Sequence, residues 1–143
     1  MDYAAWQKTV PDAITHDPLW RVEAYRLALF AAYLGWYDVT KLMSDRRTLS
    51  LSDQLYRALS GISSQIAEGY SRGTGRDRAR FYEYALGSTR ESRNWYYNGR
   101  HILGEEVIAH RLNLLAQITR LLLVMIPDQR GQQMREDAAQ YGM

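Results

Sequence analysis

The chain has 143 residues, 46% of them hydrophobic and 24% charged, which is the composition of one ordinary globular domain. It contains no Cys, which excludes disulfide bonds, thiolate nucleophiles and Cys-based zinc sites. The formal net charge is only +2, so any basic surface must arise from local clustering of the Arg residues.

No targeting or membrane segment is visible in the sequence. The first eight residues mix charged and polar side chains and lack a basic segment followed by an apolar run, so we expect no signal peptide. The longest nearly apolar stretch, residues 27–37, is about half of the ~20 residues that span a membrane. We therefore expect a cytoplasmic protein without a membrane partner.

Helical periodicity dominates the first half of the chain. After a weakly patterned arm of residues 1–16, an Asp-Pro pair suited to a helix start opens a first helix over residues 18–43. Apolar residues occupy both faces of this helix, which a single small bundle cannot bury, and this favours a partner subunit. A second helix is predicted over residues 50–72. Its apolar stripe consists of Leu55, Leu59, Ile62, Ile66 and Tyr70.

Short turns introduce two further helices. The glycine-rich segment 72–77 can end the second helix and cap a third over residues 77–103, so these two helices are expected to be antiparallel neighbours. One glycine later, a fourth helix follows over residues 105–126. We expect Pro127 to stop it and residues 128–143 to form a polar tail.

Two carboxylates, those of Glu68 and Glu91, lie inside otherwise apolar helical patterns. A carboxylate buried between helices is costly unless it is paired or hydrogen-bonded. An antiparallel third helix could bring Glu91 opposite Arg57, with Ser64 and Ser88 as hydroxyl partners near Glu68. We interpret these five residues as a structural polar network that fixes helix register. The alternative is a catalytic or ligand-binding pair of carboxylates.

No nucleophile or metal ligand accompanies these carboxylates. A four-helix bundle that holds two iron ions uses Glu-x-x-His motifs on facing helices, and the sequence contains none. His101 and His110 are nine residues apart and would point to opposite sides of a continuous helix. We therefore expect no metal, cofactor or small-molecule substrate, and we predict a non-enzymatic protein.

A basic cluster surrounds the turn between the second and third helices. It comprises Arg72, Arg76, Arg78 and Arg80 against a single Asp77. Four Arg side chains beside glycine-rich backbone could bind nucleic-acid phosphates. The alternative is a solvated end of the bundle.

Three consecutive aromatic residues, Trp95, Tyr96 and Tyr97, lie on the third helix. Such rings can stack on nucleic-acid bases. Helical spacing instead favours Trp95 as a core residue and the two Tyr residues as part of a subunit interface.

Two segments carry the motifs of a known family. The second helix contains Q-x-x-R-A at residues 54–58 and I-A-E-G followed by an Arg at residues 66–72, and the third contains A-x-G-S-x-x-E at residues 85–91. The matching residues are Gln54, Arg57, Ala58, Ile66, Ala67, Glu68, Gly69, Arg72, Ala85, Gly87, Ser88 and Glu91. This pattern resembles that of the four-helix-bundle proteins encoded in intervening sequences of bacterial 23S ribosomal RNA genes. The departures, at residues 61–63 and Gln65, are conservative in polarity.

The resemblance extends over roughly residues 19–126. It implies an all-α fold, an antiparallel up-down four-helix bundle over residues 17–127, that assembles into a cyclic homopentamer with no established chemistry. A related group, the accessory variability proteins of diversity-generating retroelements, shares the bundle and the pentamer and binds a reverse transcriptase and its RNA. We therefore expect a homopentameric interaction protein. The alternative is an accessory protein that binds RNA and a reverse transcriptase through its basic rim.

Overall fold

A computed structural model describes the backbone of residues 1–140 and the side chains of residues 1–131. This part of the chain is helical and contains no β-strand, which confirms the predicted all-α class. In chain order the helices are α1 (Tyr3–Gln7), α2 (Asp12–Thr15), a 3-10 helix (Pro18–Arg21), α3 (Glu23–Leu42), α4 (Leu49–Tyr70), α5 (Gly75–Asn98), α6 (Arg100–Leu103) and α7 (Glu105–Gln140).

The four long helices pack in sequence around one core. Helix α3 packs on α4, α4 on α5 and α5 on α7, and α7 also contacts α3. Gln65 of α4 lies against Ser88, whereas Gly69, one turn later, lies against Tyr82, so α4 and α5 are antiparallel as predicted. The largest fully buried apolar side chains of the core are those of Leu42, Leu55, Leu59, Ile62, Ile66, Leu115, Ile118, Leu122 and Tyr96.

The predicted start of the first long helix and the predicted end of the third are wrong. The first long helix begins at Glu23 rather than at residue 18, because the Asp17 carboxylate caps a short 3-10 turn by accepting a hydrogen bond from the Leu19 amide at 2.9 Å. The third long helix ends at Asn98 rather than at residue 103. Glycine is unfavourable in a helix interior, and the helix is interrupted at Gly99, after which α6 begins.

Helix α7 continues through Pro127 to Gln140, so the prediction that Pro127 stops the fourth helix is wrong. A proline removes one backbone hydrogen bond from a helix. Here the turn after Pro127 is attached to α5, because Arg78 Nε donates to Gln129 Oε1 at 2.6 Å and Arg130 forms an ion pair with Glu83. These contacts offset the missing bond. The last part of the predicted polar tail lies outside the described residues.

The stretch Glu105–Gly131 of α7 is, by length and composition, apolar enough to cross a membrane. The sequence prediction overlooked it. A core helix meets the same criterion, and Leu115, Ile118 and Leu122 of this helix are fully buried against the other helices. The apolar character of α7 is therefore partly explained by packing within the protein.

The N-terminal arm is anchored to α3 rather than merely weakly patterned. The buried ring of Trp6 packs against Trp20, Phe30 and Tyr33, with centroid distances of 5.4 to 6.4 Å. Arg26 Nε of α3 also donates a hydrogen bond to the Tyr3 hydroxyl of the arm at 3.4 Å. The arm thereby covers one part of the apolar outer surface of α3.

Close contact between α4 and α5 depends on Gly69. A Cβ atom at this position would lie 2.9 Å from the Cβ atom of Phe81 and 2.8 Å from the ring of Tyr82, and these distances are too short for any other residue type without movement. Gly87, on the outer face of α5, is a contrasting case. A Cβ atom there would meet no other atom within 4 Å.

We predict opposite effects for two Gly→Ala substitutions. Gly69→Ala should lower the free energy of unfolding by about 1–3 kcal/mol, because the added methyl group forces α4 and α5 apart. Gly87→Ala, the matched control, should raise it by up to about 1 kcal/mol, because alanine favours the helix and the site is open. Denaturant titration measures both. A stabilising Gly69→Ala would contradict the close packing.

Candidate functional site

A buried ion pair joins three of the long helices. Asp38 of α3 is only 2% exposed, and its carboxylate accepts hydrogen bonds from Arg111 of α7 at 2.7 Å (Nε to Oδ2) and 3.1 Å (Nη2 to Oδ1). Tyr96 of α5 is also buried and donates its hydroxyl to Asp38 Oδ2 at 2.6 Å. Three hydrogen bonds from two helices therefore compensate the charge of one buried carboxylate.

The protonation states of this cluster suit a structural role. Burial and the neighbouring Asp38 carboxylate raise the pKa of Tyr96 well above its ordinary value, so the phenol remains a hydrogen-bond donor. Burial by itself would lower the pKa of Arg111, but the hydrogen bond to the Asp38 carboxylate raises this pKa above its ordinary value. Since a general acid or base needs a pKa near the working pH, Tyr96 and Arg111 are poorly suited to proton transfer.

Sequence analysis missed this cluster and predicted burial for two other carboxylates. Glu68 and Glu91 are exposed, so the prediction of a buried polar network around them is wrong. On α4 the buried residues include Ile66 and Gly69, and Glu68 points away from that stripe. Glu91 lies on the outer face of α5 and accepts a hydrogen bond from Trp95 Nε1 at 3.3 Å.

The other three residues of the predicted network also make separate local contacts. The exposed side chain of Arg57 pairs with Asp53, one turn earlier on α4, at 3.1 Å. Ser64 is exposed, and its hydroxyl bonds to a carbonyl of its own helix. Only Ser88 reaches across to the neighbouring helix, where it donates to Gln65 Oε1 at 2.9 Å.

Of the three consecutive aromatic residues on α5, the wrong one was predicted to be in the core. Tyr96, not Trp95, is fully buried, whereas Trp95 is half-buried. Tyr97 is 53% exposed and its ring lies 4.2 Å from the guanidinium carbon of Arg100.

The predicted basic cluster lies at one end of the fold, where α4 ends and α5 begins. Arg78 points inward and donates hydrogen bonds to Gln129 of α7 and to the Arg72 carbonyl. Its guanidinium group therefore stabilises the turn between α4 and α5. The side chain of Arg80 is 55% exposed. A surface depression of about 550 Å³ opens here. It is lined by Arg76, Asp77, Arg80, Glu83 and Arg130. We call this region the basic end.

Aromatic rings adjoin the basic end, which the sequence analysis did not predict. The guanidinium carbons of Arg72 and Arg80 lie 4.5 and 5.2 Å from the ring centroid of Phe81, a cation–π geometry. Tyr84 packs edge-on against Phe81 at 5.5 Å and is 49% exposed. The spacing of Arg80 and Tyr84, four residues apart on one helix, is the sequence signal that could have indicated this arrangement.

Two apolar patches of different composition are exposed on the described surface. The aromatic patch consists of Trp36 and Tyr37 on α3, which are 60% and 56% exposed, with Tyr56 of α4 packed edge-on against Trp36. The aliphatic patch consists of Leu123 and Val124 on α7, which are 49% and 69% exposed. Exposed apolar groups that adjoin one another commonly mark interaction surfaces.

Polar groups in the interior are fully paired. Within residues 1–131, each buried side-chain nitrogen or oxygen has a hydrogen-bond partner. In the same part of the chain, no three His, Asp or Glu side chains are grouped so that they could hold a metal ion.

We predict that removing the Asp38 carboxylate strongly destabilises the protein. Asp38→Ala should lower the free energy of unfolding by about 3–5 kcal/mol, because Arg111 is left as an unpaired charge in the interior. Asp53→Ala removes an exposed partner from Arg57 and should change it by less than about 1 kcal/mol. Equal effects of the two substitutions in denaturant titrations would show that the buried pair does not hold the fold together.

His110 should make stability depend on pH. Partial burial and repulsion from Arg111, whose Nη1 lies 2.8 Å from His110 Nδ1, lower the pKa of His110, and attraction by Asp38 opposes this. As the pH falls through about 6.5, the unfolded chain therefore takes up the proton first, and stability decreases until the folded state is protonated too. Between about pH 7 and 5.5, the melting temperature of His110→Gln should fall less than that of the parent. Identical pH profiles would refute this assignment.

The family model described as "23S rRNA-intervening sequence protein" matches residues 23–123, which is 101 of the 143 residues. No curated protein matches the chain. The matched region includes α3, α4, α5 and the buried trio of Asp38, Tyr96 and Arg111. The chain belongs to the family of 23S rRNA-intervening sequence proteins.

Proposed function

We propose that this protein is a four-helix bundle that assembles with copies of itself into a cyclic homopentamer and acts by binding rather than by catalysis. The four long helices contact one another in the order α3, α4, α5, α7 and back to α3, which is the arrangement of an up-down bundle. The observation that carries the proposal is the pair of exposed apolar patches, one aromatic and one aliphatic.

The difference between the two patches favours a ring over a two-fold dimer. In a two-fold dimer the same surface of each subunit meets itself, whereas in a ring of more than two subunits two different surfaces of each subunit meet. A surface of Trp36 and Tyr37 that packs on Leu123 and Val124 of the next subunit is of the second kind. The number of subunits in the ring, five, is the number that the resemblance to the family implies.

A binding role is supported by the interior. The buried ion pair of Asp38 and Arg111 is satisfied by its own hydrogen bonds and by Tyr96. Active sites, by contrast, hold polar groups ready for a substrate.

Light scattering tests the assembly. Five chains of 16.6 kDa give a particle of about 83 kDa, and this mass is expected at micromolar concentration. Trp36→Glu and Val124→Glu should each dissociate the particle, because a carboxylate would be buried in the interface. Gln54→Glu, which adds the same charge to an exposed polar position of α4, is the matched control and should remain assembled.

A mixture of the two variants gives a sharper result. Trp36→Glu retains the aliphatic patch and Val124→Glu retains the aromatic patch, so one intact interface can form between them. The mixture should therefore form a two-chain complex of about 33 kDa and no ring. A monomeric parent protein would refute the assembly, and a mixture that stays monomeric would refute the pairing of these two patches.

A second candidate function is RNA binding through the basic end, as in an accessory protein of a retroelement that also binds a reverse transcriptase. The observation in its favour is local charge. Among residues 1–131, five Arg residues (72, 76, 78, 80 and 130) and two acidic residues (Asp77 and Glu83) meet at this end, a local balance of +3, whereas the net charge of the whole chain is +2. Cyclic symmetry would place every copy of this surface on the same rim.

A further inference from the structure

We propose that the basic end is a site for single-stranded nucleic acid, in which Arg76 and Arg80 hold backbone phosphates and a base stacks on the ring of Tyr84. The inference rests on the second candidate function and adds the kind of nucleic acid and the residue that binds its base. It follows from the arrangement of charge, ring and open surface on one face of α5.

Phosphate binding is the role of the depression at the basic end. Arg76, Arg80 and Arg130 line it, and the side chains of Arg80 and Arg130 are 55% and 56% exposed. The nearest carboxylate to Arg80 is Asp77 at 3.8 Å, a long contact that leaves guanidinium N–H groups facing solvent. A planar guanidinium group matches two phosphate oxygens at once, so Arg side chains suit this role well.

Tyr84 provides the stacking surface. It lies one helical turn beyond Arg80 on the same face of α5, and about half of its side chain is exposed. Phe81 supports the ring of Tyr84 edge-on and is itself covered by the guanidinium groups of Arg72 and Arg80. The ring of Phe81 is thus already covered by guanidinium groups, whereas the half-exposed ring of Tyr84 is accessible for stacking with a base.

The surface beyond Tyr84 is open. Gly87 follows on the same face of α5, and a Cβ atom there would meet nothing within 4 Å. From residue 76 to residue 87 the helix rises by about 16 Å. A strand that starts at the depression can therefore continue along α5 past Tyr84 without meeting a large side chain at this position.

The combination of ring and charge favours a single strand over other anionic partners. A duplex presents its phosphates but keeps its bases stacked inside, where Tyr84 cannot reach them. An acidic polypeptide would pair with the Arg residues but has no base to stack. Proteins that bind single strands without sequence preference combine a basic surface with exposed aromatic rings, which is the arrangement at this end of the fold.

Fluorescence anisotropy with a labelled single-stranded RNA of about 12 nucleotides and mixed sequence tests the proposal. Tyr84→Leu should weaken binding by roughly five-fold or more, and Tyr84→Phe should bind like the parent, because stacking needs the ring and not the hydroxyl. Tyr97→Leu is the matched control. Tyr97 lies on the same helix, is 53% exposed and packs on Arg100, but is distant from the basic end, so its loss should leave binding unchanged.

The double variant Arg76→Gln/Arg80→Gln separates stacking from phosphate binding. It should weaken binding and reduce the salt dependence, with the slope of log affinity against log salt falling by about 0.7 for each lost phosphate contact. Light scattering and circular dichroism should show that all variants keep the parent's mass and helix content.

Three results would overturn the proposal. If the Arg variant loses affinity but Tyr84→Leu does not, phosphate binding stands and base stacking is wrong. If the parent binds no RNA at low salt, or the Arg variant binds as the parent does, the second candidate function fails as well. If duplex RNA of the same sequence or polyglutamate competes as well as unlabelled single-stranded RNA, the partner is a duplex or an acidic protein.

Discussion

The buried carboxylate of Asp38 constrains the register of three long helices. Apolar stripes repeat at every turn, so helices packed only through Leu and Ile side chains could slide by one turn, about 5.4 Å, and still bury them. A charge in the interior does not allow this, because a slip would separate Asp38 from Arg111 and Tyr96 and leave it unpaired, at a cost of about 3–5 kcal/mol. The constraint matters most between α3 and α7, whose contact is the smallest of the four neighbouring pairs of long helices.

The helices could be predicted from the sequence because their signals are local. Periodic apolar residues, a capping acid and glycine-rich turns give the number and order of the long helices, and the family motifs lie within α4 and α5. The inward face of α5 could not be found in this way. Its buried residues include Tyr82, Thr89, Ser92 and Tyr96, which are polar or amphipathic, so the more apolar Trp95 was predicted to be in the core instead of Tyr96. Thr89 and Ser92 can be buried because each hydroxyl bonds to a carbonyl one turn earlier.

The buried trio could not be predicted for a different reason. Its members come from three helices and are up to 73 positions apart in the chain, so no spacing motif connects them. The one signal that the sequence offered was a charged residue among the apolar residues of a helix. Asp38 has this position in α3, and Arg111 has it in α7. Isolation alone does not identify burial. Glu68 directly follows the apolar Ile66 and Ala67, yet Glu68, like Glu91, is exposed because it lies off the buried stripe of its helix.

A protein that is nearly neutral overall can still present a basic site, because electrostatic attraction at its surface is local. Charges farther away than the Debye length of about 8–10 Å are screened, so a nucleic acid at the basic end responds to the local balance and not to the net charge. In the proposed ring, several copies of the basic end would lie on one rim, and one strand could contact more than one of them. Each copy can then bind weakly, because linked contacts raise the overall affinity without any additional interaction within a single copy.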